Sequence, residues 1–362
     1  MILLSVGATF GALEAPKLAR ELAKTGQEVE VMLDEKARLF VGPSAFSAVG
    51  ANVVERSSGA PAAVVHYPAT TETVARLAKG LGPERETSSE LHLIAPDIDE
   101  ASAKNPAVVA NVEVLRRDGC RVAGEAGQEI ASARTVAAEV LGGLAALDGP
   151  FAGKRVVVAT GGTHEPIDSV RFIGNRSSGK MGLAVAREAR LLGAEVVVVA
   201  ANIPEREPGV EWIPVEKVEE LERAVHQAIA GADVLVMAAA VSDFTPTSPV
   251  EEKIRRGQSE TMTLELKATS DVLAGVRRES PGLIIVGFAA THGDPIPDAR
   301  EKLVKKGADF IVGNDISRRD IGFATEENEV VVVGPGIEHF IEKAAKSDVA
   351  RAILYEVSRE FR

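Results

Sequence analysis

The chain of 362 residues holds a single cysteine, Cys120, so no intrachain disulfide can form and a disulfide-stapled scaffold is excluded. Its histidines, His66, His92, His164, His226, His292 and His339, are scattered without the spacing to acidic or thiol partners that a zinc site requires. Neither a G-x-S-x-G elbow nor a Ser-His-Asp grouping is present, which argues against a serine hydrolase. Positive charge is also scarce: 41 Lys and Arg against 53 Asp and Glu leave a formal charge of -12, the wrong sign for non-specific binding to nucleic acid. Any anionic ligand must therefore be held by a local cluster of cations. With 45% hydrophobic and 26% charged residues, the composition is that of an ordinary globular enzyme and does not imply membrane burial. The opening "MILLSVGATFGALEAPK" has no basic flank before its short apolar run and does not read as a secretory signal, so the cytoplasm is the expected compartment.

What the chain does have is a repeated α/β grammar. "ILLSV", a helical stretch ending on Gly26, and "EVEVML" form a first βαβ unit, followed by "AVVHYPA", "TETVARLAKGL", "LHLIAP", "AVVANVEVLRRDG" and "SARTVAAEVLGGLAAL". After "DGPFAGK" the grammar restarts with "RVVVAT", a glycine turn, the helix "GKMGLAVAREARLLG" and the strand "EVVVVAA". The restart sets a domain boundary near residue 150, and the length agrees, since single cores stop growing near roughly 250 residues. The fold class expected is α/β, with two doubly wound parallel-sheet domains, residues 1–150 and 151–362. Similar openings of the two halves reflect a common architecture rather than a duplication.

The second half carries the chemistry. "VVVATGGTHEPID" runs a buried strand into Gly161 and Gly162, where the lack of a Cβ lets backbone N–H groups approach an anion. It is not a GxGxxG fingerprint, and the next strand, "EVVVVAAN", has no acidic end to read a ribose, so an NAD oxidoreductase is disfavoured. In "VRFIGNRSSGKMG", Ser177, Ser178 and Gly179 fall at a helix start that favours phosphate, with Arg171, Arg176 and Lys180 nearby. Both turns are expected to face one crevice. "MAAAVSDF" delivers Asp243 beyond a buried strand, Lys253 sits on a polar loop over residues 244–260, Phe288 ends another buried strand, and Lys302 and Lys306 share a helix face. A mobile lysine can close over phosphates and stabilise developing negative charge.

Taken in order, "GGTHEPID", "VRFIGNRSSGKMG", "MAAAVSDF", "EEKI", "GFAA" and "AREKLVKKGADFIVGND" resemble the synthetase domain of the bifunctional phosphopantothenoylcysteine synthetase/decarboxylase family of coenzyme A biosynthesis. The resemblance spans about residues 151–357 and implies a Rossmann-like domain that dimerises. It implies CTP-dependent ligation of cysteine to 4′-phosphopantothenate through an acyl-cytidylate, with Mg²⁺ bridging phosphate oxygens. By the same match Lys253 stabilises the triphosphate, and Asn175 with Arg171 orients the acyl-cytidylate. Ala238, Asp243 and Phe288 hold the nucleotide, Lys302 and Lys306 hold its phosphates, and Thr269, Ser270, Asp271 and Val272 line the cytidine pocket. Gly174 and Gly307 stand where the family more often has Thr or Ser, and Asn.

The first half resembles the family's FMN-dependent decarboxylase, which implies a flavodoxin-like fold and trimeric assembly, but the catalytic pattern is eroded. The family's Gly-Thr-Gly-Gly turn is here Val6-Gly7-Ala8-Thr9, its catalytic Asn is Asp99, and its Met-Trp pair is Ser102-Ala103. No segment brings the catalytic histidine, and the flap after "RVAG" lacks the proton-donating cysteine. Cys120 and His66 read as core residues. The expectation is a decarboxylase-like domain without decarboxylation and with doubtful FMN binding; the alternative is a fully bifunctional enzyme.

Overall fold

The structure, a computed structural model, describes residues 1–81, 89, 91–255, 261–318, 322 and 325–361. It divides into two compact units, Met1–Leu147 and Asp148–Arg362.

In the first unit the strands are β1 (Ile2–Val6), β2 (Val29–Leu33), β3 (Asn52–Val53), β4 (Ala63–Ala69), β5 (Leu91–Pro96) and β6 (Arg121–Val122). The helices are α1 (Ala15–Ala23), α2 (Pro43–Ser47), α3 (Thr71–Ala78), α4 (Glu100–Ala103), α5 (Pro106–Arg117) and α6 (Ala133–Asp148). All pairings are parallel, in the order β3-β2-β1-β4-β5-β6. Without the two-residue edge strand β3, the order is that of the flavodoxin-like sheets. β4 is buried at every position, the signature of a parallel strand covered by helices on both faces. In α1, Ala15, Leu18, Ala19 and Leu22 are buried, the spacing of one helix face. His66 and Cys120 are buried.

In the second unit β7 (Arg155–Gly161) is followed by a small hairpin, β8 (His164–Pro166) and β9 (Phe172–Gly174), then α7 (Lys180–Leu191), β10 (Glu195–Ala201), β11 (Glu211–Val215) and α8 (Val218–Ala228). β12 (Val234–Met237), a second small hairpin of β13 (Phe244–Pro246) and β14 (Leu266–Ala268), α9 (Val272–Glu279), β15 (Ile284–Thr291) and α10 (Ile296–Lys306) come next. β16 (Phe310–Asp315), β17 (Glu327–Gly334), β18 (Ile337–Ala345) and α11 (Lys346–Ser358) complete it. The main sheet runs β11-β10-β7-β12-β15-β16-β17-β18, parallel through β16 and antiparallel for the last two strands. Its parallel part has the Rossmann order.

β7 shows how sequence makes this layer. Val156 and Val158 enter one hydrophobic cluster with α7 and α11, while Val157 and Ala159 enter another with α8 and α9. A period of two with both faces apolar is what a central strand needs. α7 lies so close to β7 that a Cβ on Gly182 would come within 2.1 Å of the Thr160 Oγ1. β11 and β18 depart from the sequence reading, which did not foresee them. Both are edge strands with exposed positions, and β11 contains Pro214, which only an edge tolerates.

Candidate functional site

A cavity of about 740 Å³ opens at the carboxyl ends of β12, β15 and β16 and the start of α7. β7 and β12 are neighbours whose following strands lie on opposite sides, so the cavity sits at the switch point where open α/β sheets take ligands.

The glycine turn after β7 frames this cavity but does not line it, which corrects one expectation. Gly161 adopts φ +93°, and a Cβ there would lie 2.0 Å from the Ala201 carbonyl oxygen, so the position demands glycine. The Gly162 N–H donates to Ala201 O (3.1 Å) and the Thr163 N–H to Ala240 O (3.2 Å), so these amides are committed to neighbouring backbone rather than to an anion. The turn holds the cavity wall instead: Gly161 O accepts from Ala240 N–H (2.8 Å), and Thr163 Oγ1 accepts from Ser242 N–H (2.9 Å). These bonds fix residues 238–243, bringing Ala238 and Asp243 into the lining.

The second turn does face the cavity. Asn175, Arg176, Ser177, Ser178 and Gly179 line it, followed by Lys180, Met181 and Gly182 in the first turn of α7. Gly179 is the N-cap at φ +71°, its carbonyl accepting from Thr160 Oγ1 (2.9 Å). The Gly179 and Lys180 N–H groups turn to the Ser177 and Ser178 hydroxyls in long contacts of 3.4 and 3.5 Å, and this helix start with its cations lies on the cavity, the arrangement that favours phosphate. The Asn175 side-chain amide donates to Val241 O (3.1 Å). Opposite, Thr269, Ser270, Asp271 and Val272 form another wall, Thr269 Oγ1 donating to Ser242 O (2.6 Å) and Asp271 capping α9 through Ala274 N–H (3.2 Å).

Phe288, Lys302 and Lys306 complete the group. Lys302 Nζ donates to Phe288 O, and burial, with the neighbouring Lys306 ammonium, pulls its pKa below the usual lysine range. Lys306 pairs with Asp271 at 2.5 Å. Burial alone would raise the Asp271 pKa, but the Lys306 hydrogen bond and the α9 cap hold it below the carboxylate range. Gly307 ends α10 in the left-handed conformation at φ +62°, where glycine and asparagine are both favoured, so this departure from the family pattern keeps the backbone geometry.

Sequence reasoning missed Asn314, Asn328 and Lys346, which line the same cavity. Lys346 opens α11 and donates to Gly322 O (2.8 Å) and Thr325 O (2.5 Å); burial first, then Lys180, lowers its pKa to about 8. No spacing rule points to it, because it reaches the cavity only through the pairing of β16, β17 and β18.

Arg171 and Lys253 lie outside the lining. The Arg171 guanidinium is engaged by Asp168 and by Ile254 O (2.8 Å), and Lys253 is exposed on the adjoining segment. The expectation of a mobile loop meets a difference here: Val250 and Ile254 are hydrogen-bonded to residues 167–171. Residues 256–260 of that loop lie outside the described residues. Among the described residues no group of three or more His, Cys, Asp or Glu is placed to hold a metal ion.

In the first unit the corresponding position, beyond the ends of β1 and β4, is bridged from within. The Asp97 carboxylate, beyond β5, accepts from Thr9 Oγ1 and from Gly11 N–H (3.2 Å), both beyond β1. A Cβ on Gly11 would lie 2.6 Å from Asp97 Oδ2. A flavin phosphate placed on these two donors would meet the like charge of the Asp97 carboxylate that already holds them. Asp99, at the position of the family's catalytic Asn, caps α4 through Ser102 N–H (2.9 Å).

A family profile described as DNA/pantothenate metabolism flavoprotein C-terminal domain matches residues 151–361. The coenzyme A biosynthesis bifunctional protein CoaBC of Mycolicibacterium smegmatis is 35% identical, over 99% of this chain and 97% of its own. The protein of that name from Bacillus subtilis is 32% identical over 99% and 96%. Among solved structures, the C-terminal domain of a coenzyme A biosynthesis bifunctional protein CoaBC superposes with a TM-score of 0.51 at 31% identity, covering 59% of this chain and 98% of that one. The DNA/pantothenate metabolism flavoprotein from Streptococcus pneumoniae shares the fold, with a TM-score of 0.50 at 22% identity over 57% of this chain and 99% of that one. Similarity at this level over the length of both units makes the chain a member of the coenzyme A biosynthesis bifunctional protein family.

Proposed function

We propose that residues 151–362 ligate cysteine to 4′-phosphopantothenate at the expense of CTP, and that residues 1–150 retain the decarboxylase fold without its reaction. The observation that carries the ligase reading is the convergence, in one cavity at the switch point, of the α7 start, Asn175, Asp243, the wall from Thr269 to Val272, Phe288, Lys302 and Lys306. In the first step a carboxylate oxygen of phosphopantothenate attacks the α-phosphorus of CTP, forming the acyl-cytidylate and releasing pyrophosphate. The amine of cysteine then attacks the acyl carbon, the amide forms, and CMP leaves with the bonding electrons. A carboxylate needs such a leaving group before an amine can displace oxygen from it.

The residues divide this work. First-turn N–H groups of α7 and the ammonium groups of Lys302 and Lys306 take the phosphates, with Mg²⁺ arriving as part of the nucleotide substrate. Bound triphosphate competes with Asp271 for Lys306, exchanging an internal ion pair for a ligand one. Lys253 stabilises charge on the departing pyrophosphate, and Asn175 holds the acyl group for aminolysis. Dimers through this unit and trimers through the first are the assemblies proposed, in the cytoplasm.

The Asp97 bridge and the capping role of Asp99 support the loss of flavin and of decarboxylation in the first unit. One assay tests both halves: protein supplied with CTP, Mg²⁺, phosphopantothenate and cysteine, followed for pyrophosphate and carbon dioxide. Absence of pyrophosphate refutes the ligase reading. Release of carbon dioxide, or a flavin absorbance band in the purified protein, refutes the reading of the first unit and favours a fully bifunctional enzyme.

A further inference from the structure

The turn between β8 and β9 carries a buried carboxylate that the ligase reading does not use. The Asp168 side chain is fully shielded from solvent. One of its oxygens accepts from the N–H groups of Val170 (2.9 Å) and Arg171 (2.8 Å), and the other from Arg171 Nε (3.0 Å) and Nη2. That second oxygen also accepts from the N–H of Ile254 (3.1 Å), 86 residues further along. The Arg171 guanidinium in turn donates to the carbonyl of Ile254 (2.8 Å), so both polar groups of that residue are gripped by one ion pair. A third bond, from Val250 N–H to Ile167 O (3.1 Å), fixes the start of the same segment.

The gripped residue is next to Lys253, and the gripping hairpin continues through β9 directly into Asn175. β8 and β9 pair from Pro166 with Phe172 to His164 with Gly174, and the His164 and Phe172 rings stack at 3.7 Å. Gly174 lets the two strands approach closely, since a Cβ there would lie 2.7 Å from Thr163 O and the hairpin would have to shift to take one. One rigid hairpin therefore connects the two side chains assigned to successive steps of the reaction.

We infer that Asp168 is a positioning residue, which with Arg171 clamps Ile254 and so registers Lys253 against Asn175 and the cavity. The inference rests on the ligase reading. It revises the part expected of Arg171, which acts through the loop rather than on the acyl-cytidylate. The Arg171 hydrogen bond, then the backbone N–H groups, hold the Asp168 carboxyl well below the usual carboxylate range, so the clamp is ionised throughout the neutral region. Substituting asparagine keeps the shape but removes the charge and turns one acceptor into a donor facing Arg171 or Ile254 N–H.

The test is a double-mutant cycle on the full chain, read as pyrophosphate release in the first half-reaction. Asp168→Asn should lower kcat about 10²-fold, the order expected when a reacting group is misplaced by about 1 Å, with KM for CTP unchanged within about threefold. In a Lys253→Gln background the same change should cost less than about threefold, because Asp168 acts only through Lys253. Effects that multiply, or a loss confined to KM, overturn the inference. Amide exchange at Ile254 is a second measurement, independent of any variant's folding: protection in the unaltered protein is expected, and exchange at the rate of an open peptide overturns the clamp. If the unaltered protein releases no pyrophosphate, the ligase reading falls, and amide exchange alone decides whether the clamp exists.

Discussion

The two units treat the corresponding point of their parallel sheets, beyond the strand ends where the order reverses, differently. In the first, Asp97 reaches from beyond β5 to the donors beyond β1 and satisfies them internally. In the second, the corresponding donors at the start of α7 open on a cavity lined by lysines. The difference lies in what meets the donors: a carboxylate of the same unit in the first, and long contacts from the Ser177 and Ser178 hydroxyls beside an open cavity in the second. On the proposed reading, the Asp97 carboxylate makes a structural contact of what would otherwise be a ligand site.

The largest effect that would sharpen this contrast lies in the second cavity. Lys253→Gln should slow pyrophosphate release about 10²- to 10³-fold, as expected when a group that stabilises charge in the transition state is removed. Asn175→Asp should instead let the acyl-cytidylate accumulate, visible by rapid quench and chromatography. Full activity in both variants would remove the assigned roles. Next comes the contact that lets α7 present its start to the cavity. Gly182→Val drives a side chain into Thr160 and should destabilise the second unit by about 3 kcal/mol, measured by urea denaturation.

In the first unit, Asp97→Ala should cost about 1–2 kcal/mol through the donors it leaves unpaired, without changing the ligase rate. Inorganic phosphate should then raise the melting temperature of the variant and not that of the unaltered protein. An equal response in both would break the comparison between a closed crevice and an open one. The smallest effect concerns Lys346. Its folded pKa of about 8 lies below the ordinary lysine value of roughly 10.4, so between these the unfolded chain binds more protons and stability rises with pH. Urea midpoints at about pH 7 and about pH 9.5 should show this gain relative to a Lys346→Met variant, with no difference in slope below that window.

Much of the molecule was legible without coordinates. The runs "AVVHYPA", "LHLIAP" and "EVVVVAA" coincide with β4, β5 and β10 residue for residue, because parallel strands buried on both faces are continuous in apolar side chains. β18 escaped because it pairs on one side at the rim and carries exposed residues such as His339 and Glu342, so no apolar run announces it. At the cavity, Ser177 to Gly179 stand out by residue type at a helix start and Lys302 and Lys306 by their spacing, whereas Asn175 enters only through the family resemblance. The Gly161 and Gly162 pair was misread because a glycine turn looks the same in sequence whether its N–H groups meet a ligand or another stretch of backbone. The bonds from Gly162 N–H to Ala201 O and from Thr163 N–H to Ala240 O distinguish the two.

By itself, then, the sequence determined two α/β units, their boundary, and which short segments carry anion-binding groups, since these depend on local periodicity and residue chemistry. Tertiary structure alone decided which of those groups face a common space and which are consumed by each other. Asp97 and Thr9 lie 88 residues apart, and Asp168 and Ile254 86 apart. A hydrogen bond across such a distance leaves no pattern in the order of residues, because it forms only after the sheet has brought the strand ends together.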